Sequence, residues 1–188
     1  MCFGRAAIAL WLAAALAWSA PTAAGELGPV PEPDSYWVGP INGPVPATLR
    51  GAQVIDARGL ARLIERGGAV IVDVSNLPRR PEGLGADVLW APPPHLGIPG
   101  SHWIPGVGLG VLPASADAHF RHELLALTGE SRHRPLAIYC HERCWLSWNA
   151  AKRAVAYGYR STYWFPGGIE GWRAAGYRTA VISATPER

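Results

Sequence analysis

The sequence predicts an α/β fold, a parallel sheet of about five strands with helices on both faces. Two apolar runs, the β-branched AVIVDV at 69–74 and PLAIY at 135–139, read as strands buried on both sides. Segments with apolar residues at helical spacing fall between such runs. Glycine and proline, 22 and 18 of 188 residues, punctuate the joins. Strands alternating with helices close a parallel sheet whose crossovers lay helices on its two faces.

In chain order, Val54 and Ile55 open as a short strand. Asp56 is placed as an N-cap, and 57–66 sets Leu60, Leu63 and Ile64 at helical spacing. Gly67 and Gly68 end that helix. The strand at 69–74 carries Asp73 near its end. Residues 75–100 form a Pro/Gly-rich loop of a length that is usually functional or disordered. Residues 115–127 read as a helix with Phe120, Leu124 and Leu127 on one face. The strand at 135–139 runs directly into Cys140. A helix over 145–157 stops at Gly158, and a strand covers 161–165. Pro166-Gly167-Gly168 then turns into a short helix at 169–175.

Length and composition bound what the chain does. At 188 residues it suits one domain, and 49% apolar content excludes a wholly disordered chain. A net charge of +3, with one lysine (Lys152) and no basic run, gives no footprint for nucleic acid or for a polybasic membrane patch. The N-terminus has the tripartite pattern of an export signal: Arg5, an uncharged run at 6–20, then the small residues Thr22-Ala23-Ala24. That run is shorter than the ~20 residues of a membrane span. The expected organisation is a signal peptide at 1–24, an extended Pro-rich arm at 25–52, the α/β domain at 53–178 and a tail at 179–188. Export to the periplasm leaves no membrane attachment after cleavage. The arm has Tyr36 and Trp37 as anchors and reads as a covering segment, or else as a strand that docks a partner.

Cleavage removes Cys2 and leaves Cys140 and Cys144. In an oxidising compartment these are a disulfide pair or reactive thiols kept reduced. Cys140 follows a parallel strand and precedes a helix, where ligands of open α/β sheets bind. Helix N-terminal amides and the helix dipole favour a thiolate there and would cradle an anion brought to the sulfur. His141 and Arg143 add positive charge and Glu142 offsets it. Trp145 adjoins both cysteines and is the aromatic residue expected at the pocket. Trp148, Trp164 and Trp172 are more readily core, Lys152 and Arg153 belong on the solvent face of their helix, and Ser147 and Asn149 serve the helix cap or the loop.

The ordered landmarks IVDVS with Asp73, IPGSHWIPG at 98–106, the loop after Cys140 and PGGIEGW at 166–172 resemble the rhodanese domain. The strings YWVGPINGPVPATLRGA, RRPEG, CWLSWNAAKRA and GYRSTYWFPGGIEGW are similar to the PQQ-dependent catabolism-associated CXXCW motif proteins, which are exported and rhodanese-like. The resemblance implies a rhodanese-like fold and a sulfurtransferase or persulfide carrier with Cys140 as nucleophile. It implies Cys144 as redox or disulfide partner, and His141, Glu142, Arg143, Trp145 and Asp73 around the pocket. Its setting is periplasmic alcohol oxidation by pyrroloquinoline quinone enzymes and cytochromes c, without implying that this chain binds the quinone, and no cofactor or metal is expected. The implied partners are a small sulfur-containing anion or a protein thiol, and the dehydrogenase or cytochrome c proteins of that pathway. The loop departs from the usual rhodanese pattern, because Cys-His-Glu-Arg-Cys-Trp has no glycine and Trp145 stands near the place of an arginine. Two alternatives stay open: a thiol–disulfide protein, and an accessory binding module with a Cys140–Cys144 disulfide. A metal centre of Cys140, Cys144 and His95 or His102 is a further arrangement of these residue types.

Overall fold

Apolar side chains on both faces put two strands at the centre of the sheet, β2 (Val70–Asp73) and β5 (Leu136–Tyr139), every residue of which is buried. The computed structural model describes Met1 and residues 30–186. Beyond Met1, the expected signal peptide and the first residues of the arm lie outside the described residues. The remaining elements are β1 (Gln53–Val54), α1 (Ala57–Glu65), β3 (Leu96–Gly97), β4 (His102–Trp103), α2 (Ala114–Thr128), α3 (Trp145–Ala156), β6 (Thr162–Phe165), α4 (Gly168–Ala174) and β7 (Ala180–Val181).

The main sheet has the order β1-β6-β5-β2-β4, with every neighbouring pair parallel. This is the α/β architecture expected, five strands included. The fifth strand, β4, carried no sequence signal because two residues cannot show a period. It pairs His102 and Trp103 with Val72 and Asp73. Among the described residues no helix is long and apolar enough to cross a membrane.

Alternation along the strands divides the core in two. Val70, Val72, Val74, Leu136, Ile138 and Cys140 face α2 and α3. Ile71, Ala137, Tyr139 and Phe165 face α1 and α4. Asp56 caps α1 as expected, its Oδ1 accepting from the Gly59 amide at 2.7 Å. The long loop is anchored in part by the tail: β3 pairs antiparallel with β7, and further on the Thr185 amide donates to the Trp103 carbonyl.

The arm lies across α3. Trp37 stacks on Trp145 with centroids 4.3 Å apart, and Tyr36 lies under the Arg153 guanidinium. Lys152 Nζ donates to the Pro33 carbonyl at 2.8 Å, and Trp148 Nε1 donates to Thr48 O. This corrects the expectation of a solvent face for Arg153. It is buried and donates to Gly110 O at 2.9 Å, because the arm and the 107–110 segment cover the side of α3 that a bare helix would show to water.

Candidate functional site

The strand β5 ends in Cys140, whose side chain points into the core beneath α3 and is fully buried. Its thiol faces two carbonyl oxygens, His141 O at 3.6 Å and Cys144 O at 3.7 Å. The chain then passes through three exposed residues, His141, Glu142 and Arg143. Arg143 takes a left-handed conformation with φ of 54°. That turn returns the chain so that Cys144 becomes the N-cap of α3, directly followed by buried Trp145. Both cysteines are free thiols.

The loop is held from two sides. From α4, Glu170 pairs with His141 Nδ1 and accepts the Glu142 amide, both at 2.8 Å, while the Ile169 amide donates to Cys140 O at 2.9 Å. From the arm, Gly43 donates to Arg143 O, and Ile41 O accepts the Trp145 amide at 2.8 Å. One of the helix N-terminal amides that would hold an anion therefore already has a carbonyl on it. Asn149 locks the arm in place. Its Oδ1 accepts the Trp37 amide, and its Nδ2 donates to Trp37 O and Gly108 O. Ser147 Oγ donates to Cys144 O and accepts from Trp164 Nε1. Sequence reasoning gave Asn149 a role in cap or loop and did not single out Glu170 or Gly168; both lie in PGGIEGW, the one signal that points to them.

The two thiols differ electrostatically. Burial pushes the Cys140 thiol well up, and its contact with Cys144 adds to this, with Ser147 only partly offsetting both. Cys144 is pulled down to about 7: the Cys140 thiol favours its anion, burial opposes, and the Leu146 and His141 amides help. Glu170 is held below the usual carboxylate range; burial works against this, but His141 and the Glu142 amide outweigh it. Alkylation with iodoacetamide, followed by peptide mapping, is expected to modify Cys144 with a pH midpoint near 7, slowly because the residue is 3% exposed, and to spare Cys140. Equal reactivity of the two, or a midpoint near the ordinary thiol value, would contradict this difference.

A family model of the rhodanese-like domain matches residues 56–175. The chain belongs to the rhodanese-like domain family. No curated protein matches it. Among solved structures, this rhodanese-like domain is similar to a thiosulfate sulfurtransferase from Pseudomonas aeruginosa, at 18% identity and TM-score 0.49, over 72% of this chain and 21% of that one. It is similar to a polysulfide-sulfur transferase homodimer from Wolinella succinogenes at 17% identity and TM-score 0.43, over 71% of this chain and 81% of that one. It is similar also to SseA from Escherichia coli, described with the 3-mercaptopyruvate sulfotransferases, at 16% identity and TM-score 0.44, over 72% and 54%.

Asp73 lies across the rhodanese-like sheet from Cys140. It is in register with Tyr139, whose side chain belongs to the opposite core. Its Oδ1 accepts the Ser75 amide at 2.8 Å, and its Oδ2 pairs with His95 Nε2 at 2.9 Å. His95 in turn stacks on Trp103. His95 is thus tied to Asp73 on that side, and among the described residues no group of three or more His, Cys, Asp or Glu is arranged for a metal ion. Asp73→Ala orphans the Ser75 amide and His95, and is expected to cost about 1–3 kcal/mol in chemical denaturation. The pH midpoint of Cys144 alkylation should not move; a moved midpoint would place Asp73 in the cysteine site after all.

Proposed function

We propose that this rhodanese-like protein carries sulfane sulfur on its 140–145 loop, taking it from a small sulfur-containing anion and passing it to a thiol. The observation that supports this best is a free thiol at a helix N-cap with a second thiol in contact, in a loop flanked by His141 and Arg143. In the first step a cysteine thiolate attacks the outer sulfur of thiosulfate. The new S–S bond makes a persulfide, and sulfite leaves with the electron pair of the broken bond. The family resemblance assigns that attack to Cys140. The loop amides not taken by the arm would steady the persulfide anion.

The test is sulfite release from thiosulfate by the full chain, alongside its C140S/C144S double variant. Sulfite from the first and none from the second is the expected result; no sulfite, with unchanged protein mass, overturns the reading. Contact between two free thiols also favours thiol–disulfide exchange as a second reading. In that case a disulfide substrate oxidises the pair while thiosulfate leaves it untouched. We propose further that the protein is exported and works in the periplasm beside PQQ-dependent alcohol oxidation, on the strength of the 1–24 segment and the CXXCW-family resemblance. Cell fractionation should then recover a chain beginning near Gly25 in the periplasmic fraction.

A further inference from the structure

We infer that Cys144 is the sulfur that attacks the donor, and that Cys140 is a resolving thiol that expels the bound sulfur as sulfide. This rests on the sulfur-transfer reading and divides its two cysteines differently from the family resemblance. The geometry separates their roles. The Cys140 thiol is fully buried and directed at two carbonyl oxygens, His141 O and Cys144 O, which are negative dipole ends. Such surroundings hold a proton on sulfur and oppose a thiolate. Cys144 has the reverse environment. It is the N-cap of a helix of 12 residues, at the positive end of that helix's dipole. The start of that helix and the neighbouring Cys140 thiol both favour its anion.

The contact between the thiols gives the second step. Cys140 Sγ stands 3.7 Å from the carbonyl oxygen of Cys144, so a persulfide on Cys144 forms beside the Cys140 thiol. Cys140 attacks that inner sulfur, a Cys140–Cys144 disulfide forms, and the outer sulfur leaves with the bonding pair. The proton from Cys140 goes to the departing hydrosulfide. The dithiol is oxidised by two electrons and the sulfane sulfur is reduced to sulfide. A further round needs an external dithiol to reopen the disulfide. The protein then acts as a sulfane-sulfur reductase on a single loop, and its persulfide is short-lived.

The experiment treats the reduced full chain with thiosulfate, follows intact mass and sulfide, and maps the modified peptide. Wild type is expected to lose two hydrogens and release one sulfide per chain, then stop until a dithiol is added. C140S is expected to gain one sulfur, mapped to Cys144, and to release no sulfide; C140A serves the same purpose if the serine misfolds. C144S should gain none. A sulfur retained on Cys140, in wild type or C144S, overturns this division of roles while leaving sulfur transfer standing. Unchanged mass in every form overturns both.

Discussion

Gly168→Ala is expected to lower stability by about 2–5 kcal/mol and to disorganise the cysteine loop. Gly168 has φ of 58°, and a Cβ there would lie 2.3 Å from the carbonyl carbon of His141, 2.5 Å from the Glu142 amide nitrogen and 2.6 Å from Cys140 O. All three are backbone atoms, so no rotamer change relieves the clash. The neighbouring Ile169 amide bonds Cys140 O and Glu170 bonds the Glu142 amide, so displacing α4 also removes the loop's support on that side. A thermal melt should fall by about 5–15 °C, and the Cys144 alkylation midpoint should rise toward that of an ordinary thiol. Gly176→Ala is the control. Its φ is 84° but no atom lies within 4 Å of the added Cβ, so only the backbone strain of about 1 kcal/mol or slightly more applies. Equal melts for the two variants would show that the close packing of α4 on the loop is not what holds it.

The central fold was legible because its signals are local. The apolar runs at 69–74 and 135–139, the Asp56 cap and the glycine stops each act over a few residues, and each marks an element now seen in the structure. The edges were not legible. β3, β4 and β7 are two residues each and exist only through their partners, so no periodicity announces them. The cysteines were legible as a strand-to-helix pair, whereas the difference between them was not. That difference depends on what surrounds each sulfur: two carbonyls at Cys140, the start of α3 and the Cys140 thiol at Cys144. Arg143 in the left-handed region sets this arrangement, and a sequence does not reveal the φ of an arginine. Arg153 was misjudged for a related reason. A charged residue on a helix face reads as solvated unless something remote covers it, and what covers it here is the arm together with the 107–110 segment.

Asn149→Ala is expected to free the arm and to expose the cysteine loop. The side chain is 1% exposed and makes three hydrogen bonds to backbone groups, two of them to Trp37. Truncation leaves the Trp37 amide and two carbonyls without that partner, at a cost of about 2–4 kcal/mol if the arm stays in place. Release is cheaper than burying those groups unpaired, because water then satisfies them. Gly110 gives a second handle on the same contact. A Cβ there would stand 2.0 Å from Trp37 O, so Gly110→Ala should loosen the arm without touching Asn149. Either change removes the Ile41 carbonyl from the Trp145 amide and uncovers an N–H at the start of α3. Two effects should therefore appear together: faster proteolysis within residues 30–45 and faster alkylation of Cys144, with its pH midpoint still near 7 because the groups that set it belong to the loop and α3. If proteolysis rises and alkylation does not, the arm is a stabilising strap and another element limits access to the sulfur. If alkylation also rises, the arm is what keeps donors from Cys144, and sulfur loading depends on its displacement.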